Sequence, residues 1–322
     1  VVRNYDEISY SQDKIYEYIK QVLTLEAVAC KDWLTNKVDR CVGGKVAKQQ
    51  CAGPLQLPLN NVGVMALDFN GKEGIATSIG HAPVSAIIDP IAGSKNAIAE
   101  ALTNIIWAPL QDNLDSVSLS ANWMWPCRNE GEDARLYKAV KAVSEFSIEL
   151  GINVPTGKDS LSMKQKYSNE EVISPGTVVI SAAAHCNDIT KVVEPVLQKS
   201  GMNKIYYINL SNDGYKLGGS SFAQTQNKIG SATPTIKDAA KFKNVFNTIT
   251  EGGRDGKGMV SWKQNFKPSE IAQVASYVLS LQGTIPANPK APEGDVWVDE
   301  SASPTAAETT STEVDSLSAP AQ

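Results

Sequence analysis

Short apolar runs typical of strands alternate along the chain with amphipathic segments typical of helices, at irregular intervals. The apolar periodicity predicts helices over residues 93–108 and 131–150. Runs rich in β-branched and apolar residues predict buried strands at 62–69, 119–125 and 178–184. A doubly wound parallel sheet requires a more regular alternation, so the pattern predicts the α+β class, with a mixed or antiparallel sheet covered by helices.

The composition is that of an ordinary globular chain and argues against several classes of function. Hydrophobic residues make up 42% and charged residues 20% of the 322 residues, which supplies enough apolar surface for a sizeable core. The formal net charge of −5 argues against bulk electrostatic attraction to nucleic acid or to an anionic membrane. No apolar run approaches the roughly 18 residues that a membrane helix needs, so we expect a cytoplasmic protein.

Cysteines and histidines are too few and too scattered for the common metal and triad sites. The five cysteines form no C-x-x-C pair, which removes the usual zinc and thioredoxin-like spacings. There are two histidines, His81 and His185. They offer little for a histidine-rich metal site or for a serine-protease triad.

Glu100 and Asn104 lie four residues apart on one predicted helix, so both side chains project from the same face. A carboxylate and an amide oxygen in this arrangement suit a hard cation such as Mg²⁺, which takes a few protein oxygens together with water and phosphate. An exposed polar pair on a helix surface is the other interpretation of the same spacing.

Two further polar groupings are candidates for a site. The run PTGKDSLSMK contains Gly157, which permits close backbone approach, and Lys158, which offers a point charge for phosphate. It lacks the GxxxxGK[ST] spacing of a Walker A loop, and an ordinary polar turn is the alternative. The other grouping could face a site or could merely end a strand and begin a helix, and it consists of Asn122, Glu132 and Asp133.

Several motifs in a fixed order resemble the phosphoribosylformylglycinamidine synthase family. They are DRCVGGKVAKQQCAGPLQLPLNNVGV, AEALTNI, LSANWMW followed by GED, and GKDSLSM. The resemblance covers residues 10–245 and is to the second AIR-synthetase-like (PurM-like) module of that family. It implies a PurM-like α+β domain that holds an auxiliary ADP or ATP with Mg²⁺. For the whole enzyme it implies ATP- and glutamine-dependent amidation of formylglycinamide ribonucleotide in purine biosynthesis.

The resemblance also implies roles for three residues at the nucleotide. Lys31 matches a nucleotide-contacting lysine, and Asn60 matches a position that contacts the nucleotide through its backbone. Lys158 is expected to approach the nucleotide phosphate. No catalytic residue is assigned by the resemblance.

Three other residues match the Mg²⁺ ligands of the family. Glu100 and Asn104 match the family pattern, whereas Asn61 stands where that pattern has an aspartate. An amide can still donate an oxygen but brings no charge. We therefore expect a lower metal affinity at this site.

The pattern changes along the chain, and four segments are expected. Residues 1–190 should form the PurM-like N-terminal domain, and 191–242 should begin a PurM-like C-terminal subdomain that is truncated. Residues 243–299 resemble the end of the dihaem subunit of a cbb3-type cytochrome oxidase. Residues 300–322 are rich in Ser, Thr, Ala and Pro, which predicts disorder.

The cytochrome-like segment leaves two alternative hypotheses open. In that family Met259 would supply the axial sulfur to haem iron, but covalent haem needs a CxxCH motif that the chain lacks, so no haem is expected. The alternatives are a cytochrome-related electron-transfer fragment and a non-functional chimera joined near residues 240–247.

The resemblance implies partners that this chain does not contain. They are the first synthetase module and the glutaminase, without which the chain should not complete the family reaction. The module face that its sister normally covers would be exposed, and a homodimer could form through it.

Overall fold

The computed structural model describes residues 5–31, 33, 44–197, 207–211 and 214–251, and its centre is a six-stranded mixed sheet. The strands within these residues are β1 (Val46–Lys48), β2 (Cys51–Ala52), β3 (Leu57–Pro58), β4 (Val62–Ala66), β5 (Gly74–His81), β6 (Ser118–Met124), β7 (Asn153–Ser160), β8 (Lys164–Lys166), β9 (Glu171–Ile173) and β10 (Thr177–Cys186). The sheet has the order β1-β4-β5-β10-β6-β7, in which only β6 and β7 are parallel. The strands β2–β3 and β8–β9 form two small separate pairs. The α+β class with a mixed sheet is confirmed.

Helices cover one face of this sheet. The helices of the described residues are α1 (Ile15–Thr24), α2 (Pro83–Ile88), α3 (Pro90–Ile105), α4 (Glu132–Leu150), α5 (Ser221–Thr225) and α6 (Ala239–Glu251). Helix α3 packs on β5 and β10, α4 packs on α3, and α6 packs on α4. None of them is both long and apolar enough to cross a membrane.

The opposite face of the sheet is exposed, and we call it the open face. Along β5 the inward residues are buried, whereas the outward residues Ile75, Thr77, Ile79 and His81 are exposed. Strand β10 alternates in the same way, with Ile180 and its inward neighbours in the core. A sheet with one covered and one uncovered face is typical of largely antiparallel sheets.

Gly80 determines how closely α3 approaches the sheet. A Cβ at this position would overlap the Ala97 carbonyl oxygen and the Ala101 amide nitrogen of α3. Two residues earlier in the strand, the buried Ser78 Oγ donates a hydrogen bond to the Ala101 carbonyl oxygen over 2.6 Å. Small inward side chains on β5 therefore bring the backbone of α3 close to the strand.

The two long helices occur where the periodicity predicts them. Helix α3 begins three residues earlier than predicted, because the Asp89 carboxylate caps it by accepting from the Ile91 N–H and Pro90 occupies its first turn. Helix α4 lies between Gly131 and Gly151, which both have positive φ. Glycine is favoured at such positions because it lacks the Cβ that penalises this conformation.

Two expectations about strands need correction. The strand predicted at 62–69 ends at Ala66, because the Asp68 carboxylate accepts from the Asn70 and Gly71 amides and closes a turn. The interpretation of residues 157–160 as a polar turn is wrong, since they form the second half of β7. Strand β7 is parallel to β6 because α4 provides the crossover connection between them.

Helix α6 runs without a break through the place where the two family resemblances meet. Within this helix, Phe242 ends the first predicted segment and Phe246 belongs to the second, and both side chains are buried in the main core. The Phe242 ring contacts Phe146 of α4 edge to face, with the ring centroids 6.2 Å apart. The predictions for residues 252–322, including Met259 and the disordered tail, fall outside the described residues.

Candidate functional site

The last three residues of β5 extend past β4, and two side chains of α3 bind them there. The pairing of β4 with β5 ends at Val62 and Ser78. Beyond it, Asn104 Nδ2 donates to the Ile79 carbonyl oxygen over 3.0 Å, and the His81 backbone N–H donates to Glu100 Oε2 over 2.7 Å. The structure thus brings Glu100 and Asn104 together on one strand end, which we call the β5 edge.

Asn61 lies next to the β5 edge, and Asn60 fixes the chain there. Asn61 is exposed and directly precedes Val62, the first residue of β4. The side-chain amide nitrogen of Asn60 donates to the Gln49 and Val62 carbonyl oxygens, each over 2.8 Å. These bonds use the Asn60 side chain for the local fold, and its backbone N–H donates to the Gln50 carbonyl oxygen over 3.0 Å. The contact of Asn60 with a nucleotide stays a prediction.

His81 also lies at the β5 edge, and the sequence reasoning did not single it out as a site residue. Its Nδ1 is 3.6 Å from Glu100 Oε2, and the two side chains are 58% and 44% exposed. The signal that could have revealed it is the alternating run GIATSIGH, which forms β5 and ends in this histidine. Because β5 was not predicted, the proximity of His81 to Glu100 could not be predicted either.

Lys158 occupies the same row of the open face as His81 but lies three strands away. The register pairs Lys158 with Asn122, Asn122 with Val179, and Val179 with His81. Neighbouring strands are about 4.8 Å apart, so roughly 14 Å separates the two ends of the row. Lys158 Nζ donates to Ser160 Oγ over 3.3 Å. Lys158 and Glu100 could therefore contact only different parts of an extended ligand.

Lys31 belongs to the N-terminal segment rather than to the sheet. It is half-buried, and its Nζ donates to the Ala29 carbonyl oxygen over 3.0 Å. The preceding helix α1 packs against α5 through the rings of Tyr18 and Phe222, whose centroids are 4.8 Å apart. The role of Lys31 at a nucleotide stays a prediction.

The grouping of Asn122, Glu132 and Asp133 does not form one cluster at the β5 edge. Glu132 is buried and lies 3.5 Å from Arg135 Nε, and the Arg135 guanidinium donates to two carbonyl oxygens at the end of α2. Asp133 accepts from the Ala134 N–H in the first turn of α4. These contacts favour the interpretation that both acidic residues begin a helix.

The carboxylates near the start of α4 also affect the Cys127 thiol. Partial burial raises the pKa of this thiol, and the nearby charges of Asp133, Glu132 and Asp159 raise it further. A thiol held in its neutral form at neutral pH is a poor nucleophile. This environment therefore disfavours the thiolate form of Cys127.

The donors at the β5 edge are mostly oxygens. They comprise the Glu100 carboxylate, the Asn61 and Asn104 amides, and the His81 ring beside them. Among the residues that the structure describes, no three His, Cys, Asp or Glu side chains converge on a possible metal site. An ion at this edge would find one carboxylate and two amide oxygens in the chain, and water and phosphate oxygens would complete its coordination. Mg²⁺ commonly keeps water and phosphate ligands in this way.

Comparison with known proteins shows what the chain is similar to. The model of the FGAR-AT PurM_N-like domain matches residues 30–185. A probable phosphoribosylformylglycinamidine synthase of Caenorhabditis elegans is 44% identical over 235 residues, which are 72% of this chain and 18% of that protein. The Homo sapiens phosphoribosylformylglycinamidine synthase is 43% identical over 239 residues, 74% of this chain and 18% of that one. This chain thus spans under a fifth of the length of these relatives.

A solved structure is also similar. The structure of PurLQS from Thermotoga maritima matches with a TM-score of 0.40 at 15% identity, and covers 61% of this chain and 27% of that one.

Proposed function

We propose that this chain is a nucleotide-binding module of a phosphoribosylformylglycinamidine synthase, because residues 30–185 match the model of the FGAR-AT PurM_N-like domain. The observation that carries the proposal is the β5 edge, where Glu100 and Asn104 are fixed by hydrogen bonds to one exposed strand end. The relatives that are 43–44% identical to it over 235–239 aligned residues bear the name of that synthase. In this module ADP or ATP is bound together with Mg²⁺.

The metal ligands in this proposal are Glu100, Asn104 and Asn61. One carboxylate and two amides are hard oxygen donors, and their small number leaves coordination positions for water and phosphate. When bound, Mg²⁺ neutralises part of the phosphate charge. The chain positions the ligands: the His81 N–H holds Glu100, and the Ile79 carbonyl oxygen holds the Asn104 amide nitrogen. With a single negative charge among the three ligands, we expect a weaker hold on Mg²⁺ than a site with two carboxylates has.

The nucleotide contacts in this proposal come from Lys31, from the backbone of Asn60, and from Lys158. The half-buried Asn60 is fixed by its side-chain bonds to Gln49 and Val62, which hold its backbone beside Asn61. Lys158 stands at the far side of the open face, and its charge suits a phosphate of an extended ligand.

The activity of the whole synthase requires more than this chain. We propose that the module contributes to ATP- and glutamine-dependent amidation of formylglycinamide ribonucleotide in the cytoplasm, and that alone it does not catalyse that reaction. The exposed apolar residues of the open face, among them Met65, Ile75 and Ile79, favour a sister module or a second copy of this chain as the covering partner.

Calorimetric titration of the full chain with ADP, with and without MgCl₂, tests the proposal. We expect saturable binding that MgCl₂ strengthens, and loss of this metal effect in Glu100→Gln. The matched control is Glu149→Gln, which removes an exposed carboxylate from the far end of α4. Equal metal dependence in the wild type and in Glu100→Gln would contradict the metal assignment, and absence of ADP binding would contradict the nucleotide assignment.

A further inference from the structure

The His81 ring and the Glu100 carboxylate are close enough to bind one ion together. His81 Nδ1 and Glu100 Oε2 are 3.6 Å apart. Two ligands that each lie about 2.0–2.2 Å from an ion are separated by at most about 4.4 Å, so this separation permits a shared ion. Both side chains are about half exposed, which leaves the pair open to an ion from solvent.

A ring nitrogen changes which ion such a site prefers. Mg²⁺ favours carboxylate, carbonyl and water oxygens, whereas imidazole suits the divalent first-row transition metals. In this chain Asn61 provides only a neutral oxygen, so the electrostatic attraction that serves Mg²⁺ is weak while a nitrogen donor is present beside Glu100. We propose that His81 is a further ligand of the divalent ion held by Glu100, and that its ring nitrogen raises the affinity of the site for Mn²⁺ and Co²⁺ relative to Mg²⁺, which the site also binds. This inference rests on the proposed metal–nucleotide function and specifies the metal.

The geometry allows the ring to be removed without disturbing Glu100. The backbone N–H of His81 donates to the Glu100 carboxylate over 2.7 Å. Every residue other than proline has this backbone N–H, so a substitution at position 81 keeps the hydrogen bond. Histidine 81 is exposed, and its ring lies at a strand end rather than in the core. His81→Gln therefore removes the nitrogen ligand while the Glu100 contact and the fold remain.

The other histidine of the chain provides a matched control. His185 Nε2 also lies 3.6 Å from a carboxylate, Glu73 Oε2. His185 pairs with Ile75 near the opposite end of β5, six residues from His81, which is roughly 20 Å along the strand. A general effect of histidine on metal binding would appear at both positions, whereas a specific ligand role would appear at His81 alone.

The first test measures the affinity of the full chain for ADP in the presence of MnCl₂, CoCl₂ or MgCl₂ by calorimetry. We expect the wild type to bind ADP more tightly with Mn²⁺ or Co²⁺ than with Mg²⁺. In His81→Gln we expect the advantage of the transition metals to fall by about tenfold or more, with little change for Mg²⁺. His185→Gln should retain the wild-type ratio. An unchanged ratio in His81→Gln overturns the inference.

The second test observes the ligand itself. A chain with two histidines gives two imidazole systems in a proton–nitrogen correlation spectrum, and substoichiometric Mn²⁺ broadens the resonances nearest to it. We expect the His81 resonances to broaden first and those of His185 to persist. Equal broadening of both, or none at His81 while Mg²⁺ still supports ADP binding, overturns the His81 assignment but leaves the nucleotide function intact. If no metal affects ADP binding, the proposed metal function and this inference both fail.

Discussion

The Asn104 amide nitrogen donates a hydrogen bond to the Ile79 carbonyl oxygen over 3.0 Å, just where β5 continues beyond its pairing with β4. The bond satisfies a backbone oxygen that the sheet leaves without a strand partner on that side. It also uses the nitrogen of the amide, so it is the amide oxygen of Asn104 that can serve a cation. Asn104 therefore combines a hydrogen-bond donor for the strand with an oxygen for a cation.

For this reason we expect Asn104→Asp to weaken metal-dependent ADP binding although it adds a negative charge. A carboxylate cannot donate to the Ile79 oxygen and would be repelled by it, so the side chain should leave its position. The free energy of unfolding should fall by about 0.5–1.5 kcal/mol. Calorimetric titration with ADP and MgCl₂, together with urea unfolding, measures both effects.

Asn96 provides the control for this prediction, because it lies on the same helix and its Nδ2 donates to the Pro234 carbonyl oxygen over 2.8 Å. Asn96→Asp should cost a similar stability and leave ADP binding unchanged. Tighter Mg²⁺-dependent binding in Asn104→Asp would show that charge, and not the bond to Ile79, governs this position.

Gly80→Ala should disturb the site without touching any proposed ligand. The added methyl group would overlap the backbone of α3 at Ala97 and Ala101, so the helix that carries Glu100 and Asn104 must move. We expect a loss of about 1–3 kcal/mol of stability and weaker ADP binding. At Gly214 a Cβ would meet nothing within 4 Å, and Gly214→Ala should change neither property. Thermal unfolding and ADP titration of both variants check this, and wild-type behaviour of Gly80→Ala would refute the packing argument.

The same glycine explains why part of the fold could not be predicted from the sequence. Helices α3 and α4 were predictable because of their apolar periodicity, and the ends of α4 agree with its flanking Gly131 and Gly151, whereas the Asp89 cap that starts α3 three residues earlier was missed. Strand β5 was not predicted because its buried positions hold glycine, alanine and serine. These small residues accommodate the close approach of α3, and they do not give the hydrophobic alternation that predicts a strand. Strand β7 was missed because it is a polar edge strand exposed along nearly its whole length.

The same limits apply to the candidate site. The spacing of Glu100 and Asn104 along one helix was enough to predict that their side chains project from the same face, and both bond to the end of β5. His81 could not be found by spacing, since it is 19 residues from Glu100 and reaches it only through the pairing of β5 with the sheet and the packing of α3. The nucleotide contact of Asn60 was predicted from the family resemblance, and it stays a prediction, since the side-chain bonds of Asn60 to Gln49 and Val62 show only how the local fold is held.

A charge on the open face, introduced at Ile75, should prevent this face from being covered by another copy of the chain. Ile75 is 44% exposed and lies beside Met65 and His185 in the sheet. If the chain forms a homodimer through this face, Ile75→Glu should make it monomeric, since a carboxylate cannot be buried there without a partner. Ile148→Glu is the control, because Ile148 is 74% exposed on α4. Sedimentation velocity distinguishes the outcomes, and a dimer that survives in Ile75→Glu must use another surface.

The Asp188 carboxylate should make stability depend on pH in the acidic range. Its pKa is lowered chiefly by the hydrogen bond from the Thr190 hydroxyl, with smaller contributions from the Thr190 N–H and from nearby lysines, while partial burial opposes the shift. A carboxyl with a lower pKa in the folded state stabilises the fold at neutral pH, and this stabilisation is lost as the pH falls from its ordinary range, near 3.9, towards the folded value. Asp188→Asn should therefore be less stable than the wild type at pH 7, and the difference should shrink below pH 4 in urea unfolding. A difference that stays constant with pH would assign the effect to capping geometry alone.

Phe246 tests whether the residues just past the junction of the two family resemblances belong to the same folded unit as the sheet. Its side chain is 2% exposed and lies in the main core, one helical turn after Phe242. On the same helix, Lys243 Nζ donates to the Leu150 carbonyl oxygen over 3.1 Å. This bond gives a hydrogen-bond donor to one of the last carbonyl groups of α4. Phe246→Ala should lower the free energy of unfolding by about 3–5 kcal/mol while the transition remains cooperative.

The control for Phe246 is Asn244→Ala, since Asn244 is exposed on the same helix and its replacement should change stability by no more than about 0.5 kcal/mol. A chain whose parts were joined without a common core would behave differently. It would unfold in separate steps, and Phe246→Ala would then affect only the step that reports on α6. Tryptophan fluorescence reports on the six tryptophans of the chain, among them the buried Trp125 beside Gly176, and far-ultraviolet circular dichroism follows the helices. Coincident transitions by both probes, shifted together in Phe246→Ala, are the result expected if α6 is an integral part of the domain.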